Sequence, residues 1–163
     1  MYNNKRFIIL LIFSSLLLSI LGIFAVNAMS DLNDETQSSI KFFQYKNTLG
    51  AGGYDVVAYF EDNAAVEGEN IYEANFAGIL WNFASAENRD KFLATPDRYL
   101  PEYGGHCAYG VAQGYLVRGD PQAWSIRDNK LYFNYNKNIR NAWIADAGRF
   151  LRKSENNWPQ LNK

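Results

Sequence analysis

Cysteine and histidine are nearly missing from this chain, whose 163 residues include one of each, Cys107 and His106. One cysteine cannot close an internal disulfide, and without a second one a dithiol redox cycle needs a partner thiol. No Cys-x-x-Cys, His-Glu-x-x-His or Gly-x-Ser-x-Gly element is present either. The sequence therefore excludes disulfide-framework proteins and gives no support to a zinc peptidase or a serine hydrolase.

An excess of charge of one sign is also missing. The chain has 16 Lys+Arg and 17 Asp+Glu residues, a formal net charge of -1 at pH 7. A nucleic-acid interface needs clustered positive charge, so no nucleic-acid partner is predicted. A hydrophobic content of 48% and an aromatic content of 16% are ample for the packed core of one domain.

A long apolar run is found at the N-terminus. Lys5 and Arg6 precede the apolar residues 7–26, and Val26-Asn27-Ala28 offers the small residues of a cleavage site. This pattern predicts a signal peptide over residues 1–28, with cleavage after Ala28 and a periplasmic or secreted location. Because the run approaches the roughly 20 residues that span a bilayer, an uncleaved membrane anchor is the alternative.

The polar residues 29–42 predict a flexible linker, and residues 43–163 predict the folded domain. The sequence predicts strands at residues 54–60, 70–76, 79–84, 124–126 and 130–134, from their β-branched and aromatic content. Ala77-Gly78 and Asp128-Asn129 are the turns of two hairpins. In residues 79–84 the face with Ile79, Trp81 and Phe83 is predicted to point into the core.

Two helices carry start signals. Ser85 is a predicted N-cap for a helix that buries Phe92 and Leu93 and ends before Pro96. Asn136 is a predicted cap for the last helix, whose amphipathic stripe is weakened at Gly148. The expected fold class is α+β, with a small antiparallel sheet packed against two or three helices.

The chemistry of the chain is concentrated in residues 103–114, which hold His106, Cys107 and four glycines. The four glycines are Gly104, Gly105, Gly110 and Gly114. Such a run indicates a tightly shaped loop or helix entry. Cys107 is a buried inert thiol, half of an intermolecular disulfide, or a reactive or metal-binding thiol, and the residues alone leave these alternatives open.

Several motifs follow one another in a fixed order along residues 53–161. They are Gly-Tyr-Asp-Val-Val-Ala-Tyr-Phe (53–60), Trp-Asn-Phe-Ala-Ser-Ala-Glu-Asn (81–88), Pro-Asp-Arg-Tyr (96–99), Tyr-Gly-Gly-His-Cys-Ala (103–108), Asp-Pro (120–121), Trp-Ser-Ile (124–126), Lys-Leu-Tyr-Phe-Asn-Tyr-Asn (130–136) and Asn-Trp-Pro (157–159). In this order the motifs resemble the YHS-domain family, whose members are similar to the small TRASH-type domains. The resemblance covers most of the predicted exported domain.

The YHS resemblance implies heavy-metal binding, because related domains are attached to copper-transporting ATPases. Those domains carry cysteines where this sequence has Ala58, Ala84 and Asn88. A thiolate and an imidazole remain at Cys107 and His106, and this pair suits Cu(I) or Zn(II). We therefore predict a metal site, for copper above all, at these two residues.

Geometry limits this predicted copper site. Consecutive residues point to opposite sides of an extended chain, so His106 and Cys107 need not converge on one ion. A further soft ligand could come from Met29 or from a second subunit.

Two other functions are open. One is a small-molecule or protein-binding module without metal, in which aromatic side chains line a pocket. The candidates are Tyr54, Tyr59, Trp81, Tyr99, Tyr103, Tyr109, Trp124, Tyr132 and Tyr135. The other is a thiol-redox protein that uses Cys107.

No catalytic residue is predicted, and the sequence favours a protein that is not an enzyme. Asp55 and Asp120 are expected to cap turns or to accept hydrogen bonds from buried backbone.

Overall fold

The computed structural model describes Phe42 and residues 49–163, all within one compact unit, Ile40–Lys163. The predicted signal peptide at residues 1–28, nearly all of the predicted linker at residues 29–42, and Met29 lie outside the described residues. Among the residues that are described, no helix is both long and apolar enough to cross a membrane.

Two antiparallel hairpins supply the strands. The first joins β1 (Glu69–Phe76) to β2 (Ile79–Phe83), and the second joins β3 (Asp120–Arg127) to β4 (Lys130–Asn134). Both predicted turns are confirmed: Ala77-Gly78 has φ of 52° and 72°, and Asp128-Asn129 has φ of 50° and 59°. Two successive residues at positive φ match the right-handed twist of the flanking strands.

The α+β class is confirmed, with one difference in the sheet. The two hairpins form separate two-stranded sheets rather than one. Both hairpins contribute to one buried cluster, with Trp81 and Phe83 from the first and Leu131 and Phe133 from the second. Side-chain burial therefore replaces backbone pairing between the hairpins.

Six helices lie in the described part of the chain. They are α1 (Ala58–Glu61), α2 (Ala86–Ala94), α3 (Pro96–Tyr99), α4 (Ala108–Ala112), α5 (Lys137–Ala145) and α6 (Ala147–Leu161). Both predicted N-caps are confirmed: Ser85 Oγ accepts the Asn88 N–H at 3.1 Å, and Asn136 Oδ1 accepts the Ile139 N–H at 2.9 Å. The last helix breaks at Asp146, whose φ of -146° is not helical, two residues before Gly148.

Residues 54–60 do not form the predicted strand. Tyr54 makes one isolated β-bridge, and the chain then turns into α1. The fully buried Asp55 causes the turn, because its Oδ1 accepts the N–H groups of Val57 and Ala58 at 2.8 and 3.3 Å. Such local bonds offer the backbone an alternative to a strand ladder. The strand prediction, which was based on β-branched and aromatic content, is therefore wrong, because the hydrogen bonds to Asp55 turn the backbone into α1.

The described residues form two buried clusters. The first surrounds Trp81 and Phe92 and includes the predicted core face of β2. Leu93 is exposed, contrary to the prediction, because Phe92 takes the inward position of α2 and its neighbour is rotated by about 100°. The second cluster packs α4 against α5, α6 and β4 through small and aromatic side chains, among them Ala108 and Trp143.

Candidate functional site

The path of the chain before Cys107 is a tight left-handed turn. Tyr103, Gly104 and Gly105 all have positive φ, at 56°, 59° and 81°. The segment at Gly119 packs closely against this turn. A Cβ atom on Gly119 would lie only 2.5 Å from the Gly105 carbonyl oxygen. The glycine-rich sequence thus forms the shaped loop that was predicted, and it delivers His106 and Cys107 in extended conformation.

Cys107 lies at the junction of three segments. Its N–H donates to the Val117 carbonyl at 2.9 Å, and its backbone forms a parallel bridge with Phe133 of β4. The same residue is the N-cap of α4, where its Sγ accepts the Gly110 N–H at 3.4 Å. A second backbone N–H, from Tyr135, donates to Sγ at 3.2 Å. These contacts fix the thiol within the fold.

The environment of this thiol favours its neutral form. Cys107 is 1% exposed. Burial raises the pKa of the thiol, and the backbone N–H groups near the sulfur oppose that effect without reversing it. The sulfur has an acceptor for its proton at 3.8 Å, the Oδ1 atom of Asn134. An activated thiolate, which the redox hypothesis requires, is therefore disfavoured by this geometry.

His106 is also buried, at 7% exposure. Its Nδ1 lies 2.9 Å from the Tyr103 carbonyl oxygen. A carbonyl only accepts, so this bond places the ring proton on Nδ1. Burial lowers the pKa of the imidazole, with the Tyr103 bond acting in the opposite direction. The ring is consequently neutral at pH 7, and it cannot supply the positive charge that would activate Cys107.

The two predicted metal ligands have different surroundings. His106 has φ/ψ of -69°/157° and Cys107 has -61°/115°, both extended. Each residue bridges a different segment, His106 to Arg118 and Cys107 to Phe133. His106 Nδ1 lies at the Tyr103 carbonyl, whereas the Cys107 sulfur lies at the Gly110 and Tyr135 N–H groups, so the two side chains have different hydrogen-bond partners. Among the described residues, no group of three His, Cys, Asp or Glu side chains is placed to hold a metal.

A pocket lies on the Cys107 side of the chain. Its volume is about 280 Å³, and its walls are Cys107, Tyr109, Tyr115, Val117, Tyr135 and Ile139, here called the Cys107 pocket. Tyr115 and Tyr135 are 50% and 42% exposed. Small-molecule sites start at about 300 Å³ and are lined mainly by apolar and aromatic groups. At about 280 Å³ the Cys107 pocket is slightly smaller than that lower limit, and its apolar and aromatic walls suit a fragment-sized apolar molecule.

Sequence reasoning anticipated part of this wall. Tyr109 and Tyr135 were among the aromatic residues predicted to line a pocket, whereas others of that set, such as Trp81, are buried in the core. Tyr115 and Val117 were not anticipated. They reach the site because the segment after α4 folds back, and the Tyr115 N–H donates to the Gly110 carbonyl at 3.1 Å.

The positions at which YHS domains carry cysteines also come together, around a different residue. Ala58 N–H, Ala84 N–H and Asn88 Nδ2 all donate to the Asp55 carboxylate, at 3.3, 2.8 and 2.7 Å. The predicted structural role of Asp55 is confirmed by these bonds. The Asp55 carboxylate therefore joins the backbone of Ala58 and Ala84 to the side chain of Asn88.

Comparisons with known proteins add nothing to the geometry. No family model, curated protein or solved structure matches the chain. The α+β class therefore rests on the structure, and the YHS resemblance stays a prediction carried by its motifs.

Proposed function

We propose that this domain is a small-molecule-binding module whose ligand enters the Cys107 pocket. The observation that carries the proposal is the pocket of about 280 Å³ with three tyrosines in its wall. Aromatic rings contribute large apolar area, and they prefer edge-to-face or offset contacts with other rings. A flat aromatic or aliphatic molecule with few polar atoms is the class of ligand that suits this wall.

Hydrogen bonds hold part of the wall in place, which supports binding. The Cys107 sulfur accepts hydrogen bonds from the Gly110 and Tyr135 N–H groups. The Arg118 guanidinium lies 5.6 Å from the centre of the Tyr135 ring. A preformed site spends little of the ligand's interaction energy on ordering side chains. The thiol contributes a soft, neutral surface to the pocket, so binding rather than covalent chemistry is the proposed role of Cys107.

Indole is a suitable probe for this proposal, because it is flat, neutral and fragment-sized. We expect it to bind the purified full-length protein with a Kd on the order of 1 mM. Amide resonances of Gly110 and Tyr135 should shift on titration, since both N–H groups lie at the sulfur. In Val117→Phe, which fills the pocket, binding should weaken about tenfold or more, while Cys107→Ser should retain it.

Ile71→Phe is the matched control for this test. Ile71 is 66% exposed on β1 and is not part of the pocket wall. The substitution adds the same kind of ring without touching the site. Equal indole affinity in wild type and Val117→Phe would rule out the Cys107 pocket as the binding site.

Copper binding, which the YHS resemblance implies, is the second proposal. One observation favours it: the Nδ1 bond to the Tyr103 carbonyl holds His106 in the tautomer found at histidine metal ligands. The separate hydrogen-bond partners of Cys107 and His106 count against it. Titration of the full-length protein with Cu(I) against a competing chelator is the test, and unchanged affinity in Cys107→Ser and His106→Asn would remove the site.

A further inference from the structure

A second pocket lies between β3 and α5, apart from the residues that line the Cys107 pocket. Its volume is about 300 Å³. Its walls, here called the Arg140 pocket, are Asn63, Trp124, Ser125, Ile126, Arg127, Arg140, Trp143, Ile144 and Ala147. This wall combines two cations with indole and aliphatic surface, and none of the described residues that line it is a carboxylate.

One helical stripe forms one side of the Arg140 pocket. Arg140, Trp143 and Ile144 of α5 are spaced by three and four residues, which brings them onto one face, and Ala147 begins α6 after the break at Asp146. Ile144 is exposed, whereas Trp143 is almost fully buried. The stripe therefore runs from the core to solvent, with a charged group at one end and apolar surface beside it.

The Arg140 guanidinium is held in place by β3. Its Nε donates to the Trp124 carbonyl and to Ser125 Oγ, the latter at 3.0 Å. Within the described residues, no salt bridge neutralises Arg140, whereas Arg127 lies 3.6 Å from Asp128. With Nε engaged, the two terminal nitrogens of Arg140 form the end of the fork that matches a carboxylate.

A buried donor belongs to the same wall. Trp143 is 1% exposed, and its Nε1 has no hydrogen-bond partner within the described part of the chain. A buried N–H without an acceptor is costly, and no described residue offsets that cost here.

We propose that the Arg140 pocket binds a small organic carboxylate. The carboxylate pairs with the terminal nitrogens of Arg140, and the apolar body packs against Trp124 and Ile144. This function is independent of the one proposed for the Cys107 pocket, because the two pockets share no residue.

Benzoate is the probe, and benzamide is its neutral counterpart. We expect benzoate to bind the full-length protein with a Kd on the order of 1 mM, measured by calorimetry, and benzamide to bind at least about tenfold more weakly. Arg140→Gln should weaken benzoate binding by about ten- to a hundredfold. Arg140→Lys should recover only part of it, since an ammonium lacks the planar fork. Indole affinity should not change in either variant.

Two further variants separate binding from folding and from net charge. Ile144→Glu places a negative charge beside the pocket at an exposed position, and it should abolish benzoate binding without loss of stability. Arg152→Gln removes the same charge as Arg140→Gln at an exposed position outside the pocket, and it should leave binding intact. Benzoate affinity that is undetectable up to about 10 mM, or equal in wild type and Arg140→Gln, would overturn the proposal.

Discussion

At the scale of single residues, Asp55 connects parts of the chain that are distant in sequence. Its carboxylate accepts two N–H groups at the start of α1, the Ala84 N–H after β2 and the side-chain amide of Asn88 in α2. A fully buried carboxylate is tolerated only when its lone pairs are occupied, as they are here. One side chain therefore orients a helix, a hairpin end and a second helix.

Asp55→Asn is expected to destabilise the domain by about 2–4 kcal/mol, measured by denaturant unfolding. An amide has one acceptor oxygen, so donors on the other side would face an NH₂ group. Asp90→Asn is the control, because Asp90 forms an exposed ion pair with Arg89 and should change stability by less than about 1 kcal/mol. A loss below about 0.5 kcal/mol in Asp55→Asn would contradict this account.

Cys107 is expected to react slowly with iodoacetamide at neutral pH. Burial raises the pKa of its thiol, so the alkylation rate of the folded protein should rise at a higher pH than that of the same chain unfolded in urea. The unfolded chain serves as the internal control. Rapid alkylation of the folded protein near pH 7 would show instead that the thiol is activated.

At the scale of elements, α4 is positioned by contacts that its sequence alone does not reveal. It has five residues, too few for stability in isolation, and it packs on α6. Asn157 Nδ2 of α6 donates to the Val111 and Ala112 carbonyls at 3.0 and 3.2 Å. These bonds satisfy carbonyls that the end of a short helix leaves without partners.

Gly110→Ala in α4 is expected to destabilise the protein by about 1–3 kcal/mol, although alanine favours helices. The new Cβ would lie 2.9 Å from Val117 Cγ1 and 3.2 Å from the Tyr115 ring, both in the wall of the Cys107 pocket. Indole binding should weaken in parallel. Thermal unfolding and the indole titration together measure both effects.

Gly148→Ala is the matched control, since its Cβ meets only the flexible end of Arg152 at 3.6 Å. It should stabilise α6 by about 0.5–1 kcal/mol. The crowding explanation fails if both alanines stabilise the protein, or if Gly110→Ala combined with Val117→Ala is no more stable than Gly110→Ala alone.

At the scale of the whole molecule, global stability should respond to the protonation of His106. Burial holds the pKa of its imidazole below the ordinary value of about 6.5. At pH values between the lowered pKa of the folded protein and the ordinary pKa of the unfolded chain, the unfolded chain binds more protons than the folded one. The free energy of unfolding therefore rises with pH in that interval. The contribution of His106 is complete above about pH 6.5 and is lost as the pH falls towards the lowered pKa.

His106→Asn retains a donor for the Tyr103 carbonyl and removes the titration. The difference in unfolding free energy between wild type and this variant should therefore shrink as the pH is lowered from about 7.5 to about 5.5. Urea unfolding at several pH values measures it. A difference that is constant across this range would show that the imidazole does not titrate differently in the two states.

The sequence by itself determined the local features of this protein. The hairpin turns at Ala77-Gly78 and Asp128-Asn129, the caps at Ser85 and Asn136, and the α+β class are confirmed. These features depend on backbone preferences and hydrogen bonds within a few residues, which a sequence displays directly.

Only the tertiary structure decided which distant residues each side chain contacts. The Tyr135 N–H lies at the Cys107 sulfur from 28 residues away, and Arg140 is held by Trp124 from 16 residues away. Whether Cys107 joins His106 or lines a pocket depends on the extended backbone at this junction, which β4 and the segment at Val117 impose. Local propensity carries no information about such contacts, because they form only when distant segments bury a common surface.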